Sequence, residues 1–380
     1  MIIASYAIFS AALAVTYIFI IRFYLKHWQR LPIWEVAASF EPSTSISILI
    51  PARNEEANIT ACLDAIFQQS YPSHLLQVIV IDDHSEDQTA AIAESKGAKV
   101  LALAELLNDQ KIQSFKKKAI EIGVQHATGT LIVTTDADCF AAPNWLRSLA
   151  SVYETKQPKF IAAPVVFYNE QNALERFQSL DFMGMMLVTG AGIQSRFMHL
   201  CNGANLAYPK EVFRAVDGFE GVDHLASGDD LFLMQKVAKS YPGELVFLKS
   251  QAACVQTFAK PDWRSFLQQR LRWGTKSSSY QEIQVTAVLA LVFFLCWNIL
   301  LSLALGLVWN TQFLWVFLFQ LVLKAGADFV FLSRAADFFH RRDLMRYFAY
   351  AQWYHIAYII VVGSLSNLTK TYEWKGRKVR

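Results

Sequence analysis

LIVTTDADCF, residues 131–140, carries a short apolar run, Leu131 to Val133, straight into Asp136 and Asp138. A buried strand that ends this way delivers two carboxylates to the rim of a sheet. In open α/β sheets ligands sit outside the carboxyl ends of the strands. Two clustered carboxylates there suit a hard divalent cation that also holds a substrate phosphate. An isolated pair of this kind reads better as a solvated acidic turn, and it is the rest of the chain that reverses the balance.

Upstream, short β-branched runs alternate with helical stretches, the pattern of parallel βαβ units. Ser45–Ile50 reads as a strand ending at Pro51, Asn58–Gln69 as a helix, and Gln77–Ile81 as a second strand ending in Asp82 and Asp83. Asp87–Lys96 is helical, Val100–Leu103 extended, and Lys116–His126 a helix that feeds the strand at 131–135. Three strands thus finish in polar or acidic residues: Ala52-Arg53-Asn54-Glu55, Asp82-Asp83-His84-Ser85 and Asp136-Ala137-Asp138. Parallel strands present such ends on one edge, so these groups are expected to converge.

Downstream the pattern turns mixed. Phe160–Val166 reads as a strand, Asn172–Val188 as a helix with an exposed apolar face, and Cys201–Asn205 as a turn around Gly203. Ser227-Gly228-Asp229-Asp230 then opens a helix, Leu231–Lys239. Acidic residues at a helix start are also explained as caps that meet the dipole, more readily for Asp229 than for Asp230. Along 261–276, Gln269, Arg272 and Trp273 stand at i, i+3 and i+4 on one helical face, with Trp263, Leu267 and Leu271 roughly opposite. One side suits a membrane surface while the other closes a polar site. A docking helix with Arg272 solvated fits the same spacing.

The 380 residues are 54% hydrophobic and only 18% charged, with 28 Phe, and the apolar excess is unevenly spread. Met1 to Ile21 and Ile283 to Leu323 carry no charged side chain, and Tyr347 to Thr369 carries only His355. A spanning helix needs about 20 apolar residues. The first and last blocks fit one each, and the middle block fits two, broken near Trp309–Gln312. The first block lacks the basic start and small-residue cleavage site of a signal peptide. Arg22, Lys26 and Arg30 follow it, so it reads as an uncleaved anchor with the next segment, about 40–280, in the cytoplasm. One helix before that segment and three after it would put the basic tail, 370–380, outside, against the same tendency; either a re-entrant or interfacial last block, or a middle block that spans differently, removes the conflict. Lys324 and Asp328 are expected to mark the cytoplasmic boundary of the middle block. The five cysteines form no metal or disulfide pattern.

With these residues collected, the chain resembles the membrane-bound family 2 glycosyltransferases. The likeness runs from about Ser45 to Lys276 and rests on IPARNEEANI at 50–59, VIDDHSEDQT at 80–89, KKKAIEIGVQHATG at 116–129, TTDADC at 134–139, SGDDLFLM at 227–234 and QRLRW at 269–273. It implies an α/β, GT-A fold, a Rossmann-like nucleotide-sugar domain with a mostly parallel sheet over about 40–280. An N-terminal transmembrane helix (1–24) and a C-terminal membrane region (283–369) would flank it. It implies inverting transfer from a nucleotide sugar, a UDP-sugar foremost, to a lipid or glycan acceptor at the bilayer, with Mg2+ or Mn2+ and without nucleic acid. Ala52, Arg53, Glu55, Asp82 and Asp83 match the nucleoside-holding positions. Lys116 matches the lysine facing the diphosphate, with Phe115 where a glycine usually precedes it. Asp136 and Asp138 match the metal-binding pair, Asp230 the general base, and Gln269, Arg272 and Trp273 the QxxRW motif.

That motif leans towards polysaccharide synthesis, whereas few membrane segments lean towards a single addition to a sterol-, hopanoid-, carotenoid- or ceramide-like lipid. A reading of another class, a membrane scaffold that keeps an inactive transferase domain, would be favoured by a missing base or metal pair.

Overall fold

The computed structural model describes residues 1–107, 114–225, 227–275, 282–368, 372–374 and 377–379. Lys276 and much of the basic tail lie outside them. In chain order the elements begin with α1 (Ile2–Arg30), β1 (Ile46–Ala52), α2 (Ile59–Phe67), β2 (Leu76–Asp82), α3 (Thr89–Ser95), β3 (Lys99–Ala102), α4 (Leu103–Leu106), α5 (Phe115–His126) and β4 (Leu131–Thr134). There follow β5 (Phe140–Ala141), α6 (Trp145–Lys156), β6 (Phe160–Ala162), β7 (Val165–Phe167), α7 (Ala173–Ser195), β8 (Leu206–Pro209), α8 (Lys210–Ala215), α9 (Asp229–Ser240), β9 (Leu245–Phe247) and β10 (Val255–Thr257). Helices α10 (Trp263–Gly274), α11 (Ile283–Val308), α12 (Gln312–Phe338) and α13 (Phe348–Leu368) complete the chain, before two short paired strands in the tail.

The chain divides into two compact units. One comprises residues 31–169, 199–258 and 373–380; the other comprises 1–30, 170–198 and 259–372. Helix α7 and the QRLRW segment therefore group with the terminal helices, so the expected continuous domain over about 40–280 is divided between the units.

The first unit is built on a seven-stranded sheet in the order β3-β2-β1-β4-β8-β6-β9. Strands β1 to β4 pair in parallel, while β8 runs antiparallel to both β4 and β6. Ile48 to Ile50, Val78 to Ile81 and Leu131 to Val133 are all buried, as expected of parallel strands covered on both faces. Strand β1 continues through Pro51 to Ala52, beyond Leu49, its last residue paired with β4, opposite Thr134. Proline lacks an N–H, and at 51 that lack falls where β4 no longer pairs. The single strand expected at 160–166 is two strands, β6 and β7, in different sheets, with Pro164 between them. Strand β7 joins β10 and β5 in a three-stranded sheet.

Among the described residues, α1, α11 and α12 of the second unit are long and apolar enough to cross a membrane. The buried positions of α1 are Ser10, Ala14, Tyr17, Ile21, Tyr24 and Trp28, alternating steps of four and three that make one continuous seam. Polar side chains link this seam to its neighbours. Asn298 donates to Ser10 Oγ and to Gln320 Oε1, both at 2.8 Å. Tyr17 donates to Asp328, which Lys324 Nζ meets at 2.5 Å. Such bonds matter most between helices where lipid supplies no hydrophobic contrast.

The Lys324–Asp328 pair thus corrects the expectation of a boundary marker. Both side chains are buried, Lys324 also reaches Gln352 and His355 at 3.3 Å, and they sit in the middle third of α12. A charge pair held among facing helices avoids the exposure to hydrocarbon that a lone lysine would suffer.

Candidate active site

The site grows from the ends of β1, β2 and β4. Ala52 pairs in register with Asp82, and the chain leaves both strands through left-handed residues, Asn54 (φ 51°) and His84 (φ 56°). The two loops are bonded to each other. Arg53 Nη1 donates to the carbonyls of Asp83 (2.9 Å) and His84 (2.7 Å), and Asn54 exchanges bonds with Ser85 and Glu86. Asp82 and Asp83 are buried. Asp82 Oδ2 accepts the Ser85 N–H at 3.3 Å, and Asp83 Oδ1 lies 3.0 Å from His84 Nδ1. Glu55 Oε2 accepts from Asn58 at 2.9 Å. The expected nucleoside group is therefore one bonded cluster. Phe115, in place of glycine, sets its ring against His84 with centroids 5.8 Å apart.

Beside it, Lys116 at the start of α5 donates to Asp136 Oδ1 at 2.8 Å and lies 3.5 Å from Asp229 Oδ2. Burial alone would pull its ammonium down, but Asp136, Asp229 and Asp230 outweigh that and hold it above the ordinary lysine range. Asp136, Asp138 and Cys139 offer atoms all within 4.8 Å of one another. Burial, then the charges of Asp138 and Asp136, push the Cys139 thiol well up, and Cys62 behind it is raised to about 12 by burial first. The carboxylate oxygens of Asp136 and Asp138 are the hard donors of this group. Those oxygens fit a hard divalent ion. Four carboxylates beside Lys116 also leave a local excess of negative charge that such an ion would relieve.

Gly228, at φ 85°, turns the chain into α9 and sets Asp229 and Asp230 in its first turn. Asp230 Oδ2 accepts the Gly203 N–H at 3.0 Å and Oδ1 accepts the Leu231 N–H at 2.8 Å. The Gly203 carbonyl accepts from Thr134 Oγ1 at 3.2 Å, so the turn at 201–205 joins the end of β4 to Asp230. A Cβ on Gly203 would lie 3.4 Å from both Asp229 Oδ2 and Lys116 Nζ; this turn is where the lysine and both acids meet. The sequence marked the turn by its glycine, but nothing in it foretold what the turn connects.

Gln269, Arg272 and Trp273 lie on α10, in the other compact unit. The buried residues of α10 are Phe266 and Arg270, while Trp263 is exposed. Arg270 pairs with Asp181 of α7 at 2.9 Å, and its guanidinium lies 4.4 Å from the Trp273 ring centroid. Tyr358 of α13 donates to the same aspartate at 3.0 Å. Neither Phe266 nor Arg270 belongs to the two faces named from spacing; a paired arginine roofed by aromatics holds the buried side.

Residues 47–216 match the family model described as glycosyl transferase family 2. Among curated proteins, a glycosyltransferase named AglE from Haloferax volcanii is 29% identical over 188 residues, which is 49% of this chain and 59% of that protein. A 4,4'-diaponeurosporenoate glycosyltransferase from Staphylococcus aureus is 32% identical over 153 residues, 40% of this chain and 39% of its own length. The chain therefore spans less than two thirds of either relative. A solved structure, the mannosyltransferase PcManGT from Pyrobaculum calidifontis in complex with GDP-Man and Mn2+, superposes with a TM-score of 0.55 at 17% identity. That match covers 96% of this chain and 99% of the other and shows a shared fold.

Proposed function

As the chain belongs to the family 2 glycosyltransferases, by a domain at residues 47–216, we propose that it transfers a sugar from a nucleotide donor to a hydroxyl of a membrane-associated acceptor, with inversion. The observation that carries the reading is the joining of Lys116, Asp136, Asp229 and Asp230 around the 201–205 turn, beside the Asp138 carboxylate. The loops after β1 and β2, with Arg53, Glu55, Asp82 and Asp83, take the nucleoside. A divalent ion, Mg2+ or Mn2+, held chiefly by Asp138 because Lys116 occupies one oxygen of Asp136, would neutralise charge on the departing diphosphate.

The protein's own groups supply the rest. Lys116 meets the leaving phosphate, and its raised pKa keeps it charged throughout the working range. Asp230 takes the acceptor proton; Oδ2 and Oδ1 are already oriented by backbone N–H groups of Gly203 and Leu231. With no enzyme nucleophile in the scheme, direct displacement inverts the anomeric carbon, unlike the covalent route that needs a second carboxylate in reach. The family resemblance alone assigns Arg272 to the diphosphate and Gln269 and Trp273 to the acceptor.

Three apolar helices support a membrane enzyme with the catalytic unit in the cytoplasm. A growing glycan of the cell envelope is the leading acceptor. The small number of candidate spans favours a second reading, one sugar added to a lipid. Membranes holding the protein, incubated with labelled UDP- and GDP-sugars, separate these: label in polymer supports the first, label in a small extractable glycolipid the second, and no label in either refutes both.

A further inference from the structure

Lys117, next to the diphosphate-facing lysine, plays no part in the scheme above. It is 1% exposed on α5, where a lysine is costly unless its charge is met. Its Nζ donates to three backbone carbonyls of the segment that leads into α9: Val222 at 2.7 Å, Leu225 at 2.5 Å and Ser227 at 3.2 Å. It also lies 5.3 Å from the ring centroid of Phe232, on α9 itself. These three carbonyls immediately precede Gly228, Asp229 and Asp230. Further back, Lys236 of α9 donates to the carbonyls of Asp217, Gly218 and Glu220. The loop before the acidic pair is thus pinned carbonyl by carbonyl. A loop without regular structure otherwise satisfies such groups with water.

We propose that Lys117 is a positioning residue for the base. The first turn of α5 holds Asp136 and Asp229 through Lys116, and through Lys117 it fixes the loop that aims Asp229 and Asp230. Donor-side and acceptor-side groups then share one rigid origin. This inference rests on the transferase reading. Carbonyls that converge on one nitrogen suit a compact ammonium donor, which the planar fork of arginine does not reproduce.

The test uses the full chain in lipid bilayers, with UDP and GDP plus Mn2+ as binding probes, turnover of a UDP- and GDP-sugar panel, and amide exchange across 219–231. Lys117→Met should lower turnover at least about tenfold, the scale of a small misplacement of a reacting group. Nucleoside-diphosphate affinity should stay within about twofold, and exchange should quicken in 219–231 alone. Lys117→Arg keeps the charge and is expected to fold, yet to lose turnover as well. It carries the test if the methionine variant does not fold. Full turnover per folded molecule in Lys117→Arg overturns the proposal, as does a loss of nucleotide affinity that matches the loss of turnover. A wild-type protein that turns over no sugar nucleotide overturns the transferase reading itself.

Discussion

At the scale of single residues, the account separates acids that hold charge from the acid that moves a proton. Asp138→Ala should abolish transfer and the dependence of donor binding on added metal; undiminished turnover in excess chelator would refute the metal assignment. Asp230→Asn should leave donor affinity within about twofold while turnover falls about a thousandfold or more, because a proton acceptor is lost and no donor contact. If affinity falls in step with turnover, Asp230 has only the capping role its bonds to Gly203 and Leu231 describe. Cys62 and Cys139 should resist iodoacetamide at pH 8 in the folded protein and react after denaturation, since a buried thiol raised to about 12, as Cys62 is, presents almost no thiolate. Mass spectrometry of the alkylated peptides reads this directly. Asp82, Asp83, Asp136 and Asp138 stand out at this scale because they follow short apolar runs, whereas Asp229 and Asp230 stand out only as the opening of a helix. Lys117 does not, since three lysines opening a helix read as a solvated charge run until the fold shows which one points inward.

Among the elements, α10 is the one whose buried residues, Phe266 and Arg270, the pattern did not name. Trp273 packs towards Phe182, with centroids 6.3 Å apart, and carries the Arg270 guanidinium near its ring. Trp273→Ala should therefore lower thermal stability as well as acceptor affinity, whereas Arg272→Ala should chiefly slow the chemical step. Equal, modest losses in the two would leave α10 a docking helix. Removing one partner of a buried ion pair costs about 3 kcal/mol or more. Asp181→Ala should accordingly destabilise the protein strongly, and Asp181→Leu with Arg270→Met should recover much of the loss; a thermal-unfolding cycle in which the double variant is the sum of the singles would refute that coupling. The parallel strands of the sheet were legible because their apolar runs are short and bounded. The division of 160–166 into two strands was less so, because Pro164 interrupts a run whose composition is β throughout.

Across the whole molecule, the count of apolar helices bears on sidedness. If the three candidates found among the described residues are the spans, one before the catalytic unit and two after it return the chain to the side from which it left, and the conflict with the basic tail is removed. Helix α13 is not among the three candidates, and it carries Gln352, buried in the interior, and His355. Cysteines placed singly at exposed positions of the catalytic unit and after residue 372 should be labelled by an impermeant maleimide from the same side; labelling from opposite sides would mean that α13 crosses. Sequence blocks showed where apolar helices lie, but burial of polar side chains between them depends on partners distant in the chain. The central claim is that this chain breaks the bond between a sugar and its nucleoside diphosphate by means of the acids around Lys116. Its most direct measurement is release of UDP or GDP from a sugar-nucleotide panel by the purified protein in bilayers, with Mn2+, for wild type, Asp138→Ala and Asp230→Asn. The account predicts release with at least one donor, stopped by chelator and lost in both variants. Release that persists unchanged in either variant, or its absence with every donor, would contradict it.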